Sequence, residues 1–177
     1  MNRKILLGVT GSIAAYKAAE LVRLFAKNGD EVSVVMTPAA TEFVAPLTFQ
    51  TLSKNPVHVD SFARPGGWKP EHVSLAEWAD LVLVAPATAN TLAKMAHGIA
   101  DNLLTSLLLA TRRPVAVAPA MNDGMWANPA TQANVAALRA RGVVVVGPAG
   151  GELACGSSGV GRMAEPAEVF DAAKGLA

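Results

Sequence analysis

KILLGVTGSIAAYK, residues 4–17, is the stretch of sequence that decides the fold. Its apolar first half predicts a buried strand, and the residues after Gly11 begin the apolar spacing of an amphipathic helix. A glycine turn between a strand and a helix leaves backbone N–H groups free at the positive end of the helix dipole, where they bind anions. These residues therefore predict an open α/β sheet with a phosphate-binding turn at its edge.

Apolar runs like the first one recur along the chain. The five predicted strands are Lys4–Thr10, Glu31–Thr37, Leu81–Pro86, Pro114–Pro119 and Val143–Gly147. Most are continuously apolar, which is typical of a mainly parallel sheet covered by helices on both faces. The predicted helices are Ser12–Asn28, Asp101–Thr111, Thr131–Arg141 and Ala167–Lys174. A further helix is predicted after the third strand and includes Met95. Two Gly- and Pro-rich ranges, Val57–Glu71 and Pro148–Arg162, are predicted to be long loops.

The composition describes one domain, residues 1–177, with ample material for a core. Of its residues 51% are hydrophobic and 16% charged, and the formal net charge is +1. Neither nucleic acid nor an anionic membrane is therefore expected as a partner, and no apolar run is long enough to span a bilayer. The single Cys155 and the lack of an export signal predict a reducing, cytoplasmic location.

The glycine turn favours a mononucleotide over a dinucleotide. Only Gly8 and Gly11 are present, so both the dinucleotide fingerprint and the P-loop fail. The second strand ends at Thr37 without the acidic residue that binds a ribose hydroxyl. A turn that binds no ligand is the alternative. The small, hydroxyl-rich stretch APATANT, residues 85–91, could bind the same phosphate, or Thr88, Asn90 and Thr91 could cap a helix.

Two further motifs bear on a substrate. PAMNDGMW, residues 119–126, places Asn122 among Met121, Met125 and Trp126 just beyond a strand. This arrangement indicates either a substrate pocket whose single amide orients the ligand, or a turn whose Met and Trp side chains pack in the core. LACGSSGVGRMAEP, residues 153–166, surrounds Cys155 with glycines, so the thiol could act as an acid or nucleophile on a flap, or be buried. Arg162 could bind a phosphate or carboxylate.

The histidines show no metal-ligand spacing. His58, His72 and His97 are not arranged with one another or with Cys155 as zinc ligands are, so no metal is predicted. His72, at the end of the first long loop, could titrate near neutral pH. Each histidine, taken singly, is equally consistent with an ordinary surface residue.

Taken together, these motifs resemble the flavin-dependent cysteine decarboxylases over essentially the whole chain. The resemblance rests on residues 11–17, His72, residues 119–122 with Met125, residues 154–156 and residues 162–166. It implies a Rossmann-like, flavodoxin-like α/β fold that binds FMN at a subunit boundary. It also implies a homotrimer, with trimers assembling into a dodecamer, and a flexible substrate-covering loop at about 148–163.

The resemblance further implies a reaction in coenzyme A biosynthesis. FMN oxidises the thiol of 4′-phospho-N-pantothenoylcysteine to a thioaldehyde, carbon dioxide leaves, and the enethiolate is reduced to 4′-phosphopantetheine. The chain would be free-standing or fused to a phosphopantothenate–cysteine ligase domain. The alternatives are a flavin prenyltransferase and a non-enzymatic FMN-binding regulator of a phosphatase.

The resemblance assigns roles by matching motifs. His72 matches the catalytic histidine, Asn122 the substrate-orienting asparagine, and Cys155 the proton donor of the final reduction, which relatives that modify peptide C-termini lack. The residues matched to FMN binding are Gly11, Ser12, Ile13, Thr37, Thr88, Ala89, Asn90 and Met121. The residues matched to substrate binding are Asn122, Ala154, Gly156, Arg162 and Met163.

Overall fold

A computed structural model of the chain describes residues 2–59, 70–152, 154, 156 and 158–176. The strands are β1 (Lys4–Val9), β2 (Glu31–Met36), β3 (Val57–His58), β4 (Leu81–Ala87), β5 (Val115–Pro119), β6 (Val144–Val145), β7 (Ala149–Glu152) and β8 (Ser158–Arg162). The helices are α1 (Ala15–Lys27), α2 (Pro38–Thr41), α3 (Pro46–Ser53), α4 (Glu71–Trp78), α5 (Ala89–His97), α6 (Leu103–Ala110), α7 (Asp123–Ala127), α8 (Pro129–Ala140) and α9 (Pro166–Lys174).

Six strands form one parallel sheet in the order β3-β2-β1-β4-β5-β6. The predicted parallel α/β architecture is thereby confirmed. The chain builds the sheet outward from β1 to one side and then from β4 to the other, so the strand order reverses between these two strands. Such a reversal opens a crevice at the carboxyl ends of the strands, where α/β proteins bind ligands.

Helices cover both faces of the sheet, as the continuous apolar strands predict. Along β1, Ile5 and Leu7 pack into a core with α1, α3 and α9, whereas Leu6 packs into a second core with α4, α5, α6 and α8. All three side chains are fully buried. A strand buried on both faces cannot alternate polar with apolar residues, because one of its two buried faces would then consist of unpaired polar side chains.

Most element boundaries lie within a few residues of the predicted ones, and the glycine stops are confirmed. Gly29 after α1 and Gly142 after α8 have φ values of 87° and 85°, the left-handed conformation that ends a helix. Helix α1 begins at Ala15 rather than at Ser12, since residues 12–14 form a turn. Helices α2, α3, α4 and α7 and strand β3 were not predicted, because each is short and borders proline or glycine.

The prediction of a long loop over 148–162 is wrong. Strands β7 and β8 pair as an antiparallel hairpin, with Gly151 opposite Gly159 and Glu152 opposite Ser158. Glycine lowers strand propensity, so the sequence pattern did not indicate strands here. Strand β8 is tied to the segment that follows β5, because the Met121 N–H donates to the Gly161 carbonyl over 2.9 Å. No side chain would fit at Gly161, since a Cβ would collide with the Met121 carbonyl oxygen.

Candidate functional site

The crevice between β1 and β4 is bridged by Thr10. Its hydroxyl donates to the Pro86 carbonyl over 2.7 Å and accepts from the Thr88 N–H over 3.1 Å. Thr10 is 1% exposed, so these bonds lie in a region where water cannot replace them. The two turns that follow β1 and β4 are therefore held together. Thr10 was not among the predicted site residues, although its place between Gly8 and Gly11 marks it as the last residue before the turn.

The turn at Gly11 lies close to the start of α2. A Cβ on Gly11 would stand 2.6 Å from the Cβ of Ala39, so glycine is required for this approach. Thr37 lies beside the same turn, because its N–H donates to the Val9 carbonyl over 3.0 Å. Its hydroxyl oxygen is buried and has no hydrogen-bond partner among the residues the structure describes. A buried, unsatisfied hydroxyl is costly, and a ligand oxygen at the turn would satisfy it.

Thr88 is the N-cap residue of α5, so its predicted capping role is confirmed. The Thr88 hydroxyl accepts from the Thr91 N–H over 3.3 Å and lies 3.1 Å from the Thr91 hydroxyl. Ala89 and Asn90 follow in the first turn of the helix, where Asn90 is exposed. This turn lies next to Thr10 and so adjoins the Gly11 turn. Ligand contact by Thr88, Ala89 and Asn90 stays a prediction.

Asn122 lies three residues past the end of β5 and caps the short helix α7. Its Oδ1 accepts from the Gly124 N–H over 2.9 Å, so residues 122–127 form a capped helix rather than a simple turn. The side chain is at the protein surface, and the following Asp123 is packed against Gly159 of the hairpin. Asn122 is thereby fixed between the sheet and β8.

A pocket of about 550 Å³ opens where β5, the start of α1 and the hairpin meet. It brings together seven of the residues matched to cofactor or substrate. The residues of that set in its wall are Ser12, Ile13, Met121, Asn122, Ala154, Arg162 and Met163. Met163 is only 1% exposed and belongs to the core, so it forms part of the pocket's floor.

Other predicted residues lie outside this pocket. Gly11, Thr37 and residues 88–90 are not among the described residues that line it, and neither is Gly156. His72 lies in the first turn of α4, partly buried, and is also absent from that wall. Cys155 lies outside the described residues, while its neighbours Ala154 and Gly156 are exposed. Within the described residues of one chain, Asn122 and Arg162 thus line one pocket whose wall does not include His72.

Lys17 is a pocket residue that sequence analysis did not assign. Its ammonium donates to the Met163 carbonyl over 3.1 Å and to Glu165 Oε1 over 2.8 Å. Arg162 donates to the same carboxylate oxygen over 3.1 Å. The hydrogen bond from Lys17, with the nearby Arg162 charge, lowers the pKa of Glu165. The signal was present in the sequence, because Lys17 occupies an apolar position of α1, four residues before Leu21.

Tyr16 and Glu152 also line the pocket and were not predicted. Elsewhere, His58 Nδ1 lies 2.6 Å from Glu71 Oε1, joining the end of β3 to the start of α4.

Within the described ranges, no three His, Cys, Asp or Glu residues are placed to hold a metal ion. In that same part of the chain, no helix is long and apolar enough to cross a membrane.

Comparison with known proteins shows the family. The flavoprotein family matches residues 1–177. The chain belongs to the flavoprotein family. Family membership indicates a flavin cofactor, and the unsatisfied Thr37 hydroxyl beside the Gly11 turn fits a site for a flavin's phosphate.

Two curated relatives of different lengths resemble the chain. It is 55% identical over 169 residues to the coenzyme A biosynthesis bifunctional protein CoaBC of Vibrio cholerae, covering 95% of this chain and 42% of that protein. It is 50% identical over 167 residues to the probable phosphopantothenoylcysteine decarboxylase of Streptococcus mutans, covering 93% of each. The chain thus spans less than half the length of its bifunctional relatives.

A solved structure has the same fold. This is a cysteine-to-serine mutant of PPC decarboxylase complexed with pantothenoylaminoethenethiol, at 34% identity and a TM-score of 0.89, covering 98% of this chain and 97% of the other. The predicted resemblance to flavin-dependent cysteine decarboxylases and the Rossmann-like fold are thereby confirmed.

Proposed function

We propose that this chain decarboxylates 4′-phospho-N-pantothenoylcysteine to 4′-phosphopantetheine with FMN, as a step of coenzyme A biosynthesis in the cytoplasm. The observation that carries the proposal is the pocket in which Asn122, Arg162 and Ala154 meet residues 12–13, which precede α1. The names of the Vibrio and Streptococcus relatives support the same activity. The match to bifunctional proteins supports fusion to a phosphopantothenate–cysteine ligase domain.

The turns after β1, β2 and β4 would hold FMN. The backbone N–H groups of Gly11 and Ile13 and the hydroxyls of Ser12 and Thr37 would bind the phosphate, while residues 88–90 and Met121 would contact the remainder. The buried Thr37 oxygen supports this assignment, since it lacks a partner among the described residues. When bound, FMN would accept two electrons from the substrate thiol and later return them.

The pocket residues would bind and orient the substrate. Asn122 is held by its capping bond to Gly124, so its side-chain amide would meet the substrate carboxylate from a fixed position. Lys17 has three N–H donors and, among the residues that the structure describes, bonds to Met163 and Glu165, so a third donor would meet an anionic group of the substrate. Arg162 supplies a second cation, and Ala154, Gly156 and Met163 would contact the substrate from the hairpin side.

Decarboxylation places few demands on the protein beyond orientation and exclusion of water. A thioaldehyde next to the carboxylate accepts the electron pair that carbon dioxide leaves behind, so a held carboxylate can depart without a strong base. His72 would act on the substrate's reacting end. Cys155 would then donate a proton to carbon as the enethiolate is reduced.

A second copy of the chain would complete the site. His72 is absent from the described wall of the pocket that contains Asn122. The exposed apolar residues Ile13 and Tyr16 at the pocket's edge, 59% and 61% exposed, support contact with another subunit there. A trimer, with trimers assembling into a dodecamer, would bring His72 of one copy to Asn122 of the next.

The proposal is tested by incubating the FMN-loaded protein with 4′-phospho-N-pantothenoylcysteine and measuring both products. We expect stoichiometric carbon dioxide and 4′-phosphopantetheine. Protein that carries FMN but forms neither product would contradict the proposal. Incubation with reduced FMN and a prenyl phosphate is the parallel assay, and prenylated flavin would favour the prenyltransferase instead.

A further inference from the structure

Glu165 is placed where it can control two cations of the pocket wall at once. A single oxygen, Oε1, accepts from Lys17 over 2.8 Å and from Arg162 over 3.1 Å. Lys17 belongs to α1, and Arg162 is the last residue of β8. This carboxylate therefore joins the first helix to the hairpin. Both cations line the pocket, whereas Glu165 does not.

The position of Glu165 is itself rigid. It is the N-cap residue of α9, and its backbone N–H donates to the Glu168 carboxylate over 3.1 Å. Helix α9 packs on α1, with the Phe25 and Phe170 rings meeting edge to face at 5.0 Å between centroids. The carboxylate is therefore presented from a fixed helix end rather than from a loop.

Lys17 depends on this carboxylate more than Arg162 does. The Lys17 side chain is 9% exposed, while that of Arg162 is 41% exposed. An ammonium that is nearly buried is stable only when it is paired, and Glu165 is its one charged partner in the described part of the chain. Without the carboxylate, Lys17 would retain only the Met163 carbonyl and would be displaced toward solvent.

We propose that Glu165 is a positioning residue that holds Lys17 and Arg162 in the pocket wall and fixes β8 over it, so that the pocket binds its anionic substrate. The effect on substrate binding rests on the proposed function, whereas the effect of Glu165 on Lys17, Arg162 and β8 does not. Glu165 touches no substrate and acts through the two cations. The lowered pKa of Glu165 keeps its carboxylate charged throughout the neutral range.

Steady-state kinetics of Glu165→Gln test the inference. Loss of one partner of a charged hydrogen-bonded pair predicts that KM for the phosphorylated substrate rises about tenfold, with kcat changed by less than about twofold. Asp171→Asn is the matched control, because Asp171 is an exposed carboxylate on the same helix and lies outside the pocket wall. An unchanged KM in Glu165→Gln would overturn the proposal.

A double-mutant cycle separates positioning from a general loss of stability. If Glu165 acts through Lys17 and Arg162, then adding Glu165→Gln to Lys17→Met raises KM by a smaller factor than it does in the wild type, because only the Arg162 contact is left to lose. Independent effects that multiply would overturn the proposal. Should Lys17→Met fail to fold, Glu165→Asp replaces it, because aspartate keeps the negative charge on a shorter side chain. Its KM is expected to lie between those of the wild type and Glu165→Gln. A KM equal to or above that of Glu165→Gln counts against the inference.

Amide hydrogen exchange gives a readout that needs no activity. We expect residues 158–162 to exchange faster in Glu165→Gln than in the wild type or in Asp171→Asn, since β8 loses its tie to α1. If the wild type converts no substrate, the proposed function fails and exchange still decides whether Glu165 holds β8. If the wild type is active but Glu165→Gln matches it in KM and exchange, only the present inference fails.

Discussion

The Thr88 N–H donates to the Thr10 hydroxyl over 3.1 Å, which ties the turn after β1 to the turn after β4. The same hydroxyl donates to the Pro86 carbonyl, so it both donates and accepts a hydrogen bond. Residues predicted to hold the flavin lie directly after Thr10 and at Thr88. One buried hydroxyl thus sets the spacing of two turns that are predicted to bind the flavin.

Thr10→Val should weaken both the fold and flavin binding. Valine has the same shape but cannot make either hydrogen bond, and it leaves the Thr88 N–H unsatisfied. We expect the free energy of unfolding to fall by about 1–3 kcal/mol and the flavin dissociation constant to rise. Urea denaturation and flavin fluorescence titration measure these quantities. Thr48→Val, at an exposed position of α3, should change neither. Equal flavin affinity in Thr10→Val and the wild type would contradict the role given to Thr10.

Gly161→Ala and Gly150→Ala should differ sharply although both lie on the hairpin. A Cβ at Gly161 would collide with the Met121 carbonyl oxygen, whereas a Cβ at Gly150 would meet nothing closer than the Gly159 carbonyl oxygen at 4.0 Å. We expect Gly161→Ala to lose about 1–3 kcal/mol of stability and to displace β8 from Asn122. Thermal unfolding and KM measure the two effects. Similar behaviour of the two variants would show that β8 does not dock as described.

His72→Asn should abolish carbon dioxide release while leaving the flavin spectrum unchanged. Because His72 is not in the described wall around Asn122, the pair is expected to come from different subunits. Co-expression of His72→Asn with Asn122→Asp should then restore part of the activity, since some mixed interfaces contain both native residues. Carbon dioxide release is the measurement. Mixed oligomers that form but show no activity would indicate that both residues act from one chain.

Cys155→Ser should still release carbon dioxide but fail to complete the reaction. A serine hydroxyl is a much weaker acid than a thiol and donates a proton to carbon poorly. We expect the enethiol to accumulate, with little 4′-phosphopantetheine. Mass spectrometry of the products after one turnover distinguishes them by two hydrogens. Formation of the saturated product at the wild-type rate would remove the role assigned to Cys155.

Stability should fall in acid through Glu165. The hydrogen bond from Lys17 lowers the pKa of this carboxyl from its ordinary value of 4.5, so the unfolded chain binds a proton more readily than the folded one. The stabilisation is therefore complete above about pH 4.5 and is lost as pH falls through the lower folded value. Urea denaturation between about pH 6 and about pH 3 should show a smaller decline for Glu165→Gln than for the wild type. Parallel declines would show that Lys17 does not stabilise the charged carboxylate.

The parallel sheet could be predicted because its strands are buried on both faces. Runs such as Leu81–Pro86 are apolar throughout, and burial of this kind depends little on detail elsewhere in the chain. The hairpin over 149–162 could not be predicted in this way. Gly159 and Gly161 are required by contact with Asp123 and Met121, and each of these contacts joins residues more than thirty positions apart. Helix α4 was missed because it is short and carries no clear apolar stripe.

The sequence by itself determined the α/β class, the glycine turn at residues 8–11 and the family to which the chain belongs, because these depend on local patterns and motifs. Only the tertiary structure decided which motifs meet. It placed Asn122 beside Arg162, brought the unassigned Lys17 to Glu165 across 148 positions of sequence, and left His72 apart. Such contacts follow from the order of strands and the packing of α1 against α9, which no local pattern encodes.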